Sequence, residues 1–354
     1  MPKAITMKQV EGKPGKVYYP TKQPTETYNV HQPPASNRPH AHPGPQRPPH
    51  NHLRRALNHR DFFLRQHLYP APSFTTPILA DGCGTVTATG SSATSWLHKR
   101  VILAPGQGWA SSPTGPESPS GYAILGGTSS NPLGTLQEVV CVDQSEVEVA
   151  PEHLSDVQAA ALPLTGLTGW RALVTKSGNA EAGRNILVTG IGGGVALNVL
   201  QFAVAAGSNV WVTSGSREKI ERAVEVGARG GVSYKEKGWE KELRGLLPVD
   251  RPWPGGVIVQ YGMTVGPKMD WTMGANLMNL ELKGTTMGSR KEFKDMVAFV
   301  KEKKIRPIVS KVAKGLDNLK DIDELFEQMR NGSQFGKLVV EVVPSQGGNS
   351  SSKL

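Results

Sequence analysis

The chain has 354 residues, a hydrophobic share of 38%, a formal charge of +10 and two cysteines, Cys83 and Cys141. That length allows two domains and a proper core, while two distant cysteines exclude a disulfide scaffold or a cysteine-rich zinc site and fit a reduced intracellular compartment. The basic excess is partly local, at Arg38, Arg47, Arg54, Arg55, Arg60 and Arg65; elsewhere bases alternate with acids, as in KEKGWEKELR. Such alternation reads as solvated helix faces, and the basic tract lacks interleaved aromatics, which counts against nucleic-acid binding.

In chain order, residues 1–20 read as a strand pair, KAITMK and KVYY around the turn EGKPG, and no apolar core marks a signal peptide. Residues 21–55, with Pro20, carry nine of the 27 prolines and five of the nine histidines: His31, His40, His42, His50 and His52. With almost no aliphatics, this tract cannot offset its ordering entropy and reads as disordered or extended. Ala56 to Val149 show short β-runs between Gly/Pro/Ser turns (GTVTATG, RVILAP, GYAILGG, LQEVVCV), a small β-rich domain. Residues 155–174 look helical. From Ile186 strands and helices alternate, which predicts an α/β unit with a parallel sheet.

One stretch, Asn185 to Ser216, has no charge and is long enough to span a bilayer. Its six glycines and its change of pattern midway argue instead for strand, turn, helix, strand. No membrane segment is expected. The tail, 344–354, reads as disordered and ends in Ser352-Lys353-Leu354. A terminal Ser-Lys-Leu is a receptor-read address. It predicts a peroxisomal import receptor as partner, and the peroxisome rather than the cytoplasm as location.

ILVT (186–189) is followed by the turn GIGGG, the apolar helix VALNVLQFAVAA, and the strand NVWVT (209–213). Glycines permit the sharp turn and let a phosphate approach the backbone, and the helix N-terminus offers free N–H groups. Strand, turn, helix and strand at the right spacing predict a dinucleotide site, with Gly190 and Gly193 under the pyrophosphate. After the second strand an NAD site would carry Asp or Glu. Here Ser214, Gly215 and Ser216 precede Arg217 and Lys219, which suits a 2′-phosphate and predicts NADP(H).

These motifs, with ALNHRDFFLRQHLYP, AAALPLTGLTGWRAL, Gly190-x-x-Gly193-x-x-Ala196, VIVQYG, KGTTMGS and QFGKLVVEV, resemble the medium-chain dehydrogenase/reductase superfamily, in particular its quinone-oxidoreductase-like branch. The resemblance covers residues 56–343 with gaps, and the first twenty. It implies a GroES-like catalytic domain (56–154), a Rossmann NADP(H)-binding domain (155–315), and a C-terminal helix and strand (316–343) returning to the catalytic domain. It implies hydride transfer between NADP(H) and a small-molecule substrate: a small or medium enone, quinone or aldehyde. A homodimer is common in such proteins.

The resemblance also implies site residues. Asn58, Asp61 and Tyr69 would lie near the cleft, with Tyr69 a donor to a developing oxyanion or a packed aromatic. Thr168 would contact the nicotinamide. Tyr234 would lie on the 2′-phosphate side, and Tyr261, Gly288 and Ser289 would face the cofactor; Ser289 also opens a capping box with Glu292. Gly336 and Lys337 would close over the cofactor. No metal is expected: Asn58 stands at the place of the first zinc ligand, Ala80-Asp81-Gly82 replaces Gly-His-Glu, and Leu164 takes the third place. Segment 97–130 holds no cysteine for a structural zinc.

Two departures stand out. Residues 21–55 replace the strands that lead into the β-domain. And only PVDRPWPGG separates Leu247 from VIVQYG, so one βα unit, about thirty residues, is absent. The expected results are a gap in the sheet and uncovered apolar faces. The rival reading is therefore a catalytically impaired relative that retains the nucleotide loop.

Overall fold

The computed structural model describes residues 3–7, 29–31, 53–247, 254–262 and 270–342. Strand β1 (Ala4–Thr6) pairs antiparallel with β2 (Asn29–His31). Then come β3 (Leu53–Ala56), α1 (His59–Arg65), β4 (Cys83–Thr85), β5 (Arg100–Leu103), the short pair β6 (Gly106–Gln107) and β7 (Ala123–Ile124), and β8 (Val147–Val149). Helices α2 (Asp156–Ala160) and α3 (Pro163–Trp170) follow, and α3 runs on into a π-helical segment, Arg171–Ser177. Next are β9 (Asn185–Val188), α4 (Gly194–Ala205), β10 (Asn209–Ser214), α5 (Arg217–Glu225), β11 (Gly230–Ser233) and α6 (Trp239–Leu246). The chain continues with β12 (Val257–Gln260), α7 (Met273–Leu277), β13 (Glu281–Gly284), α8 (Arg290–Lys303), β14 (Val309–Lys314), α9 (Leu319–Asn331) and β15 (Lys337–Val342).

The largest sheet has the order β14-β15-β3-β4-β5-β8. Its inner face packs on α9 through Leu57, Leu64, Ile322, Leu325, Phe326 and Val340. The dinucleotide half is α/β, as the alternating pattern predicts. Strands β11-β10-β9 form a parallel sheet, and apolar residues of α4 and α5 join α3 and α8 in one core: Leu167, Leu197, Leu200, Phe202, Ile220, Phe293 and Met296.

The missing unit shows as a split. Among the described residues, strands β12 and β13 pair only with each other, apart from β9, where a doubly wound sheet has a strand between. Apolar side chains lie open along the two halves. Leu187 on β9 is 45% exposed, Ile258 on β12 40% and Leu282 on β13 42%. A half-buried strand ordinarily covers such residues.

The N-terminal expectations need correcting. The partner of β1 is Asn29–His31 rather than KVYY, within the tract read as disordered or extended, and Leu53–Arg55 at its end form most of β3, an inner strand. Composition misleads here because both arginines are buried against partners that the fold supplies. Arg54 pairs with Glu341 on β15 at 2.6 Å. Arg55 donates to the carbonyls of Thr135 and Cys83, which stand in for the water it loses. Burial lowers its pKa to about 10. Strand β14, expected in the nucleotide domain, pairs with β15 in the β-domain sheet instead. The turn EGKPG with KVYY, four of the histidines (His40, His42, His50, His52) and the terminal Ser-Lys-Leu lie outside the described residues.

Candidate active site

The glycine turn has the shape that its residues demand. Gly190 has φ +65° and Gly192 +116°, left-handed values that favour glycine. A Cβ at Gly190 would meet nothing within 4 Å, and one at Gly193 only the Gly190 carbonyl at 3.8 Å, so the face of the turn is open. Gly193 caps α4 without a side-chain acceptor, which leaves the first N–H groups of a twelve-residue helix free for an anion. Ala196, buried in the first turn, lets α4 lie close beneath. Gly336 closes one side: its N–H donates to the Gly192 carbonyl at 3.0 Å. The turn therefore fits a dinucleotide pyrophosphate.

Beyond β10 the serines divide their work. Ser214 is buried; its hydroxyl donates to the Ile191 carbonyl at 3.4 Å and accepts from the Ser216 N–H at 3.2 Å. Both bonds shape the turn, so the hydroxyl expected at the 2′-phosphate is spent on the backbone here. Ser216 caps α5, accepting from the Lys219 N–H. Arg217 is held by Glu236 and Glu242, and Lys219 Nζ donates to the Gly332 carbonyl at 2.6 Å, its stem lying over Gly192. What the fold does gather beside Gly215 is the Tyr234 hydroxyl and Lys235: a Cβ there would lie 2.9 Å from the first and 2.8 Å from the second's Cε. Tyr234 is 49% exposed. Lys235 went unnoticed in the sequence, although it adjoins Tyr234 in the same loop.

The cleft side centres on a buried polar cluster. Asn58 caps α1 in a reciprocal box with Asp61, whose Oδ2 accepts the Asn58 N–H at 2.8 Å. Asn58 Nδ2 donates to Asp81 Oδ2 at 3.0 Å, and Asp81 Oδ1 accepts the Leu164 N–H at 2.8 Å. Lys337 Nζ donates to Leu57 O at 2.7 Å, Asn58 Oδ1 at 2.5 Å and Asp81 Oδ2 at 2.9 Å. Its stem crosses the head of α4, 2.8 Å from where a Gly194 Cβ would sit. Lys337, expected to close over the cofactor, thus lays its stem on the head of α4 while its ammonium turns into the β-domain. Nothing local in the sequence signals this contact between distant residues.

Burial raises the Asp61 pKa to about 6, outweighing the Arg60 guanidinium 3.0 Å away. Arg60 also serves the carbonyls of Leu125 and Gly126, so its charge is shared. Tyr69 packs half-buried against the β-domain core with Arg60 over its ring, the packed-aromatic alternative. The Thr168 hydroxyl donates to Leu164 O at 2.8 Å and touches the Met287 sulfur. Beside Asp81, Leu164 packs in a buried apolar cluster with Ala80, Ile124, Leu125 and Met287, flanked by Tyr122 and Leu133.

Three residues stand apart. Tyr261 follows β12 in the detached sheet, its phenol pKa raised by burial. Gly288 lets its loop approach α3, since a Cβ would meet Leu167 at 2.6 Å. Ser289 is buried as the cap of α8, bonded to Glu292, which also holds Arg171 at 2.7 Å. That packing accounts for Gly288 and Ser289. Asn198, a buried amide in apolar α4, was also missed; it bonds to Thr165 Oγ1 and Gly194 O and ties α3 to the turn.

Zinc does not fit. Among the described residues no three His, Cys, Asp or Glu side chains converge, Leu164 offers no donor, and a lysine ammonium already lies on Asn58 and Asp81. No described helix is long and apolar enough to cross a membrane.

No family model matches the chain. The zinc-type alcohol dehydrogenase-like protein YogA of Leptosphaeria maculans is 49% identical, covering 97% of this chain and 100% of that one. That alignment runs over 370 positions, more than the 354 of this chain, so the relative has residues where this chain has none. The zinc-type alcohol dehydrogenase-like protein C1773.06c of Schizosaccharomyces pombe is 30% identical over 81% of this chain and 88% of that one. A crystal structure of an NAD-dependent alcohol dehydrogenase superposes with a TM-score of 0.69 at 27% identity, over 87% of this chain and 95% of that one.

Proposed function

Since this chain belongs to the medium-chain dehydrogenase/reductase superfamily and is an NAD(P)H-dependent oxidoreductase, we propose that it works without zinc, prefers NADP(H), and reduces a small or medium enone, quinone or aldehyde. The observation that carries this reading is the setting of Gly215: the atoms nearest to where its Cβ would lie belong to a lysine and to a tyrosine hydroxyl. A 2′-phosphate takes charge-assisted bonds from such groups, whereas a ribose hydroxyl asks for an acceptor.

Hydride transfer is the chemistry that a bound nicotinamide supplies. The chain's own residues do the rest. The free N–H groups of α4 hold the pyrophosphate. Thr168 and the wall of Leu125, Leu164 and Met287 bound the reacting end and exclude water, which suits an apolar enone or quinone.

The test is titration of the purified chain with NADPH and NADH, following cofactor fluorescence. NADPH should bind at least about tenfold tighter, and Lys235→Glu should weaken it by about thirtyfold while leaving NADH nearly unchanged. Equal affinities in the wild type would remove the NADP(H) reading. Dialysis against a chelator should leave binding and enone or quinone reduction intact; loss of reduction refutes zinc independence. The split sheet favours a second reading, an impaired relative: NADPH would bind, but no enone, quinone or aldehyde would be reduced. We further propose that the terminal Ser-Lys-Leu directs the chain to peroxisomes. A fluorescent fusion should become cytosolic when residues 352–354 are removed; unchanged distribution overturns the assignment.

A further inference from the structure

The ammonium of Lys337 sits among three oxygens at the place where the family resemblance puts zinc ligands. Lys337 is 4% exposed and Asp81 0%, so neither charge has water to rely on. All three N–H donors of the ammonium are taken, by Leu57 O, Asn58 Oδ1 and Asp81 Oδ2. It has none left for substrate in this arrangement. Asp81 spends its other oxygen on the N–H of Leu164, in the first turn of α3. That turn carries Thr165, which is bonded to Asn198 of α4, and Thr168 lies one turn on. The lysine's own stem packs on Gly194, the first residue of α4.

We infer that Lys337 is a positioning residue: its ammonium serves as a resident cation that locks Asp81 and Asn58, and through them sets α3 and the pyrophosphate turn against the β-domain. The inference rests on the NADP(H) reading for its binding arm only. A metal at this place would be a detachable bridge between the two halves; the lysine is a covalent part of β15. The arrangement also makes a prediction opposite to that of a lysine held in reserve for the cofactor phosphates. If Asp81 merely detained Lys337, neutralising Asp81 would free the ammonium and tighten cofactor binding. If the pair is the lock, neutralising Asp81 loosens the seat of α3 and weakens binding.

The experiment is a double-mutant cycle of Lys337→Met and Asp81→Asn on the full chain, read as cofactor-free melting temperature and as NADPH affinity at 15 °C. Lys337→Met leaves a buried carboxylate without its cation and should lower the melting temperature by about 10 °C. It should weaken NADPH by about tenfold, and Asp81→Asn, which is isosteric, by about threefold. The double variant, with no buried charge, should recover at least half of both losses, a coupling that two independent packing defects would not show. Additive losses, or tighter NADPH binding in Asp81→Asn, overturn the inference. If Lys337→Met does not fold, Asp81→Asn alone decides by the direction of its affinity change. Wild-type protein that fails to bind NADPH refutes the cofactor reading, and the melting arm then still judges the lock.

Discussion

Asp61→Asn should remove a fall in stability that the wild type shows between about pH 4 and pH 6.5. The Asp61 carboxyl has a folded pKa of about 6 against an ordinary 3.8, because burial penalises its charged form more than Arg60 and the Asn58 N–H favour it. Between those values the folded chain keeps a proton that the unfolded chain has lost. Stability therefore decreases as pH rises through the window and stays at the lower level above it. A shift of that size corresponds to about 3 kcal/mol. The asparagine carbonyl still accepts the Asn58 N–H, so the cap of α1 survives, and Arg60 retains the carbonyls of Leu125 and Gly126. Urea unfolding at steps from pH 4 to pH 7 checks this. The advantage of the variant should grow with pH across the window; a gap that is constant, or that grows toward acid, contradicts a raised carboxyl.

The second large effect concerns the split sheet. Inserting a strand and helix of a fuller relative between Leu247 and Val257 should join β9 to β12. Leu187, Ile258 and Leu282 each stand about half open, and covering them regains about 1 kcal/mol apiece. Two unpaired strand edges gain ladder bonds as well. The melting temperature should rise by about 6 °C or more, and fluorescence of a dye that binds exposed apolar surface should fall. An insertion that leaves both unchanged would mean that the detached β12-β13 pair is already satisfied where it lies.

The features that could be read in advance are those whose cause is local. The turn from Gly190 to Gly194 announces itself because left-handed backbone, an open face and an uncapped helix all follow from one short string. The absent βα unit is equally plain from the few residues between α6 and β12. Arg54 and Arg55 misled for a definite reason: composition assigns arginine to solvent, yet a guanidinium ringed by carbonyls or faced by Glu341 is at home in a sheet. Lys337 misled in its direction rather than its place, since its acceptors come from α1 and from the loop before β4. Ser214 and Lys235 show the same limit on a smaller scale. Which of several polar neighbours faces a pocket depends on how a strand end is turned.

The order of strands in the large sheet also constrains how the chain is made. Strand β3 emerges early, yet its partner β15 is the last strand described. During synthesis the β-domain sheet must wait, one edge of β3 open, until the whole nucleotide-binding half has left the ribosome. That half, built from near-neighbour contacts, has time to form first as an insertion within an unfinished domain. Arrival of β15 then closes the sheet and delivers Lys337 to Asn58 and Asp81 in the same event. Chains cut short before residue 337 would accumulate with a formed glycine turn and an exposed sheet edge, a form suited to capture by chaperones.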